Sequence, residues 1–259
     1  MLVSSEKNAN PTISTSQPIM VLDKLCKRFG GVVAADEVSF NLSPARVHGL
    51  IGPNGSGKTT MLNLISGVTD MDAGKITLAG EDITHKPNYT RARRGIARTF
   101  QHPRLLKRCD IQSNLYLGID LADKKGHVAN PQDASLKEIL AAAGLKLDLD
   151  ESITTLSYGQ QKLFEIVRAL LTRPKVLLLD EPAAGLNSKE MEQVDALIGL
   201  AVRSNTAVLL VEHSMDLIMN ICHTITVLNF GRKIAEGVPA EIQSNDAVIE
   251  AYLGRGRSA

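Results

Sequence analysis

Eight consecutive residues, Gly52-Pro53-Asn54-Gly55-Ser56-Gly57-Lys58-Thr59, constrain this 259-residue chain more than any other stretch. They fit the spacing G-x-x-x-x-G-K-[ST]. A largely apolar run over 47–51 precedes them. Thr60 and then Met61-Leu62-Asn63-Leu64-Ile65, apolar at helical spacing, follow them. The order is strand, loop, helix. Phosphate oxygens need several donors at close range, and glycines let backbone N–H groups converge on them without side-chain clashes. The start of the helix adds its positive end. Residues 52–60 are therefore expected to cradle a polyphosphate, with Lys58 reaching its terminal phosphates and the Thr59 hydroxyl ligating Mg²⁺.

A second signal is Val176-Leu177-Leu178-Leu179-Asp180-Glu181. It reads as a buried parallel strand that ends in acids. Asp180 would hold Mg²⁺ through water at the sheet edge, and Glu181 would polarise an attacking water. A third signal, Leu156-Ser157-Tyr158-Gly159-Gln160, opens a helix shortly before that strand. Ser157 is a good N-cap. A Ser hydroxyl, a glycine N–H and a helix N-terminus also make an anion site. Both readings of Ser157 stay open. A chain with one phosphate loop already would use a second such site for another chain's nucleotide.

The remaining pattern predicts strands over 19–25, 38–42, 74–78, 207–211, 225–228 and 233–235. Helices are predicted over 110–119, 134–143, 157–172, 188–203, 215–221 and 239–253. Strands alternating with helices imply a mainly parallel sheet covered on both faces, an α/β fold. The segment 103–160 has little strand signal and reads as a helical insertion, with a polar surface loop over 123–127. Residues 1–18 read as a disordered tail. Residues 232–254 read as a C-terminal helical end.

Composition narrows the function. Lys plus Arg number 29 and Asp plus Glu 28, a net charge of +1. No strong basic field exists to draw in nucleic acid. Aromatic residues make up 3% of the chain, with no Trp, too few for a base-stacking platform. No apolar run approaches the ~20 residues of a membrane span, and the N-terminus lacks the pattern of a signal peptide. Cys26, Cys109 and Cys222 are scattered, as reduced buried thiols would be, and suggest neither disulfides nor a zinc site.

In the order of these motifs the chain resembles the ATP-binding subunits of ABC transporters, from about residue 19 to 253. The resemblance implies a P-loop NTPase (RecA-like) core with an N-terminal antiparallel β subdomain and an inserted helical subdomain. It assigns adenine stacking to Phe29, the Walker A loop to 52–59, and the Q-loop to Gln101 in Arg98-Thr99-Phe100-Gln101-His102. The signature motif falls on 156–160, with Tyr158 in place of a glycine. Asp180 and Glu181 match Walker B and the catalytic glutamate. Ala184-Gly185-Leu186-Asn187 matches the D-loop, and His213 the switch histidine. A finer likeness, in RTFQHPRL, LSYGQQKLFEI, LLLDEPAAGLN, VEHSMDLIM and VIEAYLG, is to the ATPases of branched-chain amino acid importers. Tyr158 and Asn187 are usual there. The stretch 117–152 looks shorter than in typical members.

On this resemblance Lys58, Gln101, Glu181 and His213 are catalytic. Thr59, Gln101 and Asp180 serve Mg²⁺. Phe29, residues 52–60 and Ser157, Tyr158, Gly159 and Gln160 contact ATP. By residue type alone, Phe29 could be a core aromatic, Gln101 an exposed amide and His213 a structural histidine. His48, His85, His102, His127 and His223 show no partner pattern, and the basic run 91–94 reads as a solvated face. The implied partners are a second ATP-binding subunit, identical or paralogous, separate transmembrane permease subunits, and indirectly an extracytoplasmic solute-binding protein. The implied place is peripheral, at the cytoplasmic membrane face. An ATPase of an exporter or lipid-extraction system, and a soluble ATPase acting on ribosomes or DNA, are the alternatives.

Overall fold

The computed structural model describes residues 17–122 and 134–253. The expected tail, up to residue 16, and the expected polar loop 123–127 with His127 lie outside the described residues. The chain runs through β1 (Met20–Phe29), β2 (Val32–Leu42), β3 (Val47–Ile51), α1 (Lys58–Ser66), β4 (Ala73–Leu78), β5 (Glu81–Asp82), α2 (Asn88–Arg93) and β6 (Ile96–Arg98). It continues through α3 (Ile111–Ala122), α4 (Ala134–Ala142), a 3-10 turn (Ile153–Thr155), α5 (Tyr158–Leu171) and β7 (Val176–Asp180). It ends with α6 (Ser188–Arg203), β8 (Ala207–Val211), α7 (Met215–Ile221), β9 (Thr224–Asn229), β10 (Arg232–Gly237), α8 (Pro239–Gln243) and α9 (Asp246–Leu253).

Two sheets form, in the orders β2-β1-β4-β5 and β10-β9-β3-β8-β7-β6. The first is antiparallel. In the second, β9, β3, β8, β7 and β6 are parallel, and β10 closes one edge antiparallel to β9. Strand β7 is apolar up to its final Asp180 because both its faces are covered. Val176 and Leu178 join the core shared with α1 and the small sheet, while Leu177 and Leu179 join the core under α5 and α6. Helix α1 lies in the first of these cores, with Met61, Leu62, Leu64 and Ile65 fully buried. The phosphate-loop helix is thus built into the centre of the molecule.

The helical insertion leaves after β6 and returns before α5. Its two ends are tied where Ile111 N donates to Glu151 O and Ile153 N to Cys109 O. Helix α3 then packs on α5. Helix α5 itself starts at Tyr158 and runs on into the core, so the insertion and the core share one helix.

Several expectations need correcting. Residues 232–254 are not a helical end, since 232–237 form β10. The predicted helix over 239–253 is two helices. Asn245 Oδ1 accepts from Val248 N at 3.2 Å, so its side chain starts a new helix and ends continuity with the old one. Cys26 and Cys109 are only half-buried; Cys222 is buried, and all three are free. Elements β5, α2 and β6 are too short, and too weakly periodic, to stand out in the sequence.

The basic run 91–94 is not simply a solvated face. Arg91 is 2% exposed. Its guanidinium donates to Leu64 O at 2.6 Å and Ile65 O at 3.0 Å, two carbonyls at the end of α1, and to Thr84 O and Lys86 O at 2.8 Å. The last turn of a helix leaves carbonyls without intrahelical partners. Arg91 supplies donors to two of them from a neighbouring element, alongside the Gly67 N–H that also reaches Leu64 O. Replacing Arg91 with Met should destabilise the protein by about 2–4 kcal/mol, the range for orphaning buried acceptors. Arg93→Met, at an exposed position, should change stability by less than about 0.5 kcal/mol. Denaturant melts of the two variants check this; equal effects would refute the capping role.

His48 on β3 links the two sheets. Its ring stacks on Phe40 at 5.1 Å, and Nε2 lies 2.8 Å from Thr226 Oγ1. Burial, aided by the charge of Lys233, lowers its pKa from 6.5 to about 4. The unfolded chain therefore binds a proton between these values that the folded chain refuses. Stability held above pH 6.5 is lost as pH falls toward 4, by up to about 3 kcal/mol. His48→Gln should flatten that part of the wild-type pH profile, as read from unfolding free energies at pH 7 and 5. Parallel profiles would contradict the assignment.

Candidate functional site

Strand order places four loops side by side. Strands β6, β7, β8 and β3 are consecutive neighbours in the parallel sheet. Gln101 follows β6, Glu181 follows β7, His213 follows β8, and the 52–59 loop follows β3. All four open at the carboxyl ends of parallel strands, where open α/β sheets bind ligands.

The loop has the shape its glycines allow. Gly52, Gly55 and Gly57 have φ of +151°, +77° and +108°. A Cβ at Gly52 would strike Leu228 O, and one at Gly57 would strike Ala34 O. Helix α1 has Gly57 as its N-cap, with no side-chain cap on its first amides and no acid in its first turn. Ser56 Oγ is buried without a hydrogen-bond partner. Lys58, 7% exposed, turns its ammonium onto Gly52 O at 2.8 Å and Pro53 O at 3.1 Å. Burial holds its pKa below the usual lysine range, opposed by Glu181 and Asp180. Uncapped amides, an unpartnered hydroxyl and an ammonium held only by neutral carbonyls together fit a polyanion. In the same segment Asn54 and Thr59 are exposed, and Pro53 and Thr60 are half-buried.

Three of the expected residues meet directly. Gln101 Nε2 donates to Glu181 Oε2 at 3.0 Å. His213 Nε2 lies 2.9 Å from Glu181 Oε1. The Glu181 side chain is 16% exposed and that of His213 46%, so the carboxylate is held but water can reach it. Asp180 sits one residue earlier at the buried end of β7. Its Oδ2 pairs with Arg98 Nη2 at 3.1 Å. Burial raises the Asp180 pKa, and the Arg98 guanidinium opposes that rise.

Arg98 was legible only as a neighbour of Gln101. The structure shows it donating to Asn63 Oδ1 at 2.7 Å and Ser66 Oγ at 3.0 Å on α1 as well. It thus ties the acid at the end of β7 to the helix after the phosphate loop. Among the described residues, no group of three His, Cys, Asp or Glu side chains could hold a metal unaided. A Mg²⁺ at Thr59, Asp180 and Gln101 would therefore need phosphate oxygens as well.

The segment 156–160 behaves first as a helix start. Ser157 Oγ accepts from Gln160 N at 3.2 Å, and Gln160 Oε1 accepts from Ser157 N at 2.9 Å, a capping box. Gly159 faces the carboxylate of Glu190, which is itself held in the cap of α6 with Asn187. Tyr158 is 44% exposed, and its hydroxyl donates to Gln101 O at 3.4 Å. Phe29, at the end of β1, is 49% exposed with Lys27 Nζ 5.4 Å from its ring centre. With half of its surface exposed, Phe29 is not a core aromatic.

The architecture and the motif order agree with comparisons to known proteins. A model of the ABC transporter family matches residues 35–184, and one for branched-chain amino acid ATP-binding cassette transporters matches 232–257. The chain belongs to the ATP-binding subunits of ABC transporters. It is 40% identical over 252 residues to the high-affinity branched-chain amino acid transport ATP-binding protein BraF of Pseudomonas aeruginosa, spanning 92% of this chain and 99% of BraF. Identity to LivG of Escherichia coli K12 is 38% with the same coverage. The ADP conformation of MJ1267, an ATP-binding cassette of an ABC transporter, matches with a TM-score of 0.78 at 31% identity, over 92% of this chain and all of that one. A nucleotide-free cassette matches with a TM-score of 0.79 at 31% identity, again over 92% and 100%. As a member of this family the chain binds nucleotide and hydrolyses ATP.

The loop geometry sets a test. Gly57→Ala should abolish nucleotide binding, because its Cβ meets the main chain of Ala34. Gly55→Ala, with open space around it, should cost only the left-handed strain of about 1–2 kcal/mol. Titration with a fluorescent ATP analogue separates them; comparable losses would show that the loop is not shaped by the contact at Gly57.

Proposed function

We propose that this chain powers import of branched-chain amino acids or related small solutes through separate permease subunits. What supports this best is the 52–59 loop and Glu181 at the carboxyl end of one parallel sheet, in a chain 40% identical to BraF over 252 residues. The family match in the C-terminal segment supports the same solute class.

The chemistry follows from the side chains. Lys58 and the amides opening α1 bind the β- and γ-phosphates of ATP and offset charge that builds there. Thr59, Asp180 and Gln101 would hold Mg²⁺, which supplies further neutralisation across those phosphates. Glu181 Oε accepts the proton of the attacking water. Gln101 and His213 keep that carboxylate aimed, and His213 also contacts the γ-phosphate. Phe29 stacks on the adenine. Ser157, Tyr158, Gly159 and Gln160 face the nucleotide of a second ATP-binding subunit, so two ATP molecules are enclosed between paired chains.

Among the described residues no helix is long and apolar enough to cross a membrane, so the solute path belongs to the permease partners. A cavity of about 670 Å³ between α2, β6, α3 and α5, lined in part by Arg93, Ala97, Leu117, Gly118 and Arg168, supports docking of a permease segment near Gln101. The subunit then works peripherally at the cytoplasmic membrane face.

Glu181→Gln should retain ATP binding while turnover drops about 10²- to 10⁴-fold, the usual worth of a general base. Steady-state ATPase rates with a parallel binding titration measure both. Near-normal turnover would remove Glu181 from the role of base. Transport in reconstituted vesicles with co-expressed permeases, using labelled leucine, tests the solute assignment directly.

A further inference from the structure

We propose that Lys162 and Glu165, three residues apart on α5, are positioning residues that hold Glu181 and Gln101 in register. The helix that opens at Ser157 would then govern the hydrolytic site of its own chain. This rests on the reading of Glu181 as base.

Both side chains are out of place by composition. Each residue is 3% exposed, on a stretch of helix buried on all sides, with Leu163, Phe164, Ile166 and Val167 around them. Buried charges are costly and persist where they satisfy specific groups. Lys162 Nζ donates to Glu181 O at 2.7 Å and to Ala184 O at 3.0 Å. Glu165 Oε2 accepts from Phe100 N at 3.2 Å, and Oε1 from Arg104 N at 3.0 Å. Two of the ammonium's three donors meet two carbonyls, and two carboxylate oxygens meet two amides. One side chain thus grips the turn after β7, and the other brackets Gln101 after β6. These are the two loops whose side chains join at Gln101 Nε2 and Glu181 Oε2.

The backbone at Glu181 needs such support. Its φ is +49°, a left-handed conformation that a residue with a side chain keeps only when its surroundings enforce it. Glu181 N donates to Val211 O at 2.9 Å, and Lys162 takes the carbonyl on the other side. Glu212, 5% exposed, completes the frame: Oε1 accepts from Ala183 N at 2.7 Å and Oε2 from His213 N at 3.1 Å. Burial lowers the Lys162 pKa, and Glu212, Glu181, Glu165 and Asp180 oppose it. Burial raises that of Glu165, opposed by the same two amides and by Arg168 and Lys162.

The mechanical consequence is direct. From the Ser157 cap to Glu165 is about 12 Å of continuous helix. A displacement of the Ser157 end by a partner's nucleotide is carried along α5 to both loops. Binding across the dimer and hydrolysis within the chain become one event, transmitted by two charged side chains.

The test is kinetic. Lys162→Met should lower kcat about 10- to 100-fold, the effect of misplacing a reacting group. KM for ATP and affinity for an ATP analogue should stay within about twofold. Lys162→Arg should recover most of the rate, because a guanidinium can still donate to both carbonyls. In a Glu181→Gln background, Lys162→Met should cause no further loss, since it acts through Glu181. An unchanged kcat, an equal loss of affinity, or full additivity with Glu181→Gln would each overturn the proposal. If thermal melting shows Lys162→Met unfolded, Glu165→Gln carries the same test, and its loss must vanish in a Gln101→Ala background. Undiminished turnover in Glu181→Gln alone would sink the reading of the site and this inference with it. Undiminished turnover in Lys162→Met beside an inactive Glu181→Gln would sink the inference alone.

Discussion

The carboxylate of Glu181 receives Gln101 on one oxygen and faces His213 on the other, at 3.0 and 2.9 Å. Bonds this short between three loops demand that β6, β7 and β8 end at matching heights. The parallel register supplies that match, with Arg98 opposite Leu178 and Asp180 opposite Val211. A slip of one residue would also turn each strand's apolar set to the wrong face. Because both faces of this sheet are buried, the packing that stabilises the fold fixes the site as well.

The phosphate loop depends on the same core from another side. Helix α1 is enclosed between the sheets, and two carbonyls at its end accept from the buried Arg91 guanidinium. Its middle is tied by Arg98 to the acid at the end of β7. Helix α1 therefore cannot shift without disturbing Asp180. Two arginines from one short segment, 91 and 98, set where the phosphate-binding loop stands relative to the acidic strand.

Motifs with strict spacing were readable because each carries its chemistry locally. A left-handed glycine turn, an uncapped helix start and an apolar strand ending in acids need no distant partner to be recognised. The capping role of Ser157 was readable for the same reason. Buried charges were not. Arg91 stands in a run of basic residues whose composition suits solvent, and only the approach of α2 to the end of α1 buries it. Lys162 and Glu165 carry a faint signal, an opposite-charge pair three residues apart inside an otherwise apolar stretch of helix. Their partners are main-chain groups of loops about 20 and about 60 residues away, which no sequence pattern names.

By itself the sequence determined the strand–loop–helix of 47–65, the acids ending β7, the alternation that makes an α/β fold and the family the chain resembles. These depend on local periodicity, glycine stereochemistry and residue spacing. Tertiary structure alone decided the strand order that sets Gln101, Glu181 and His213 together, and the split of the C-terminal helix. It alone decided which of the chain's charges are buried and what they hold. Those outcomes depend on which main-chain groups are left without water when distant segments pack, and that is fixed only once the chain has closed on itself.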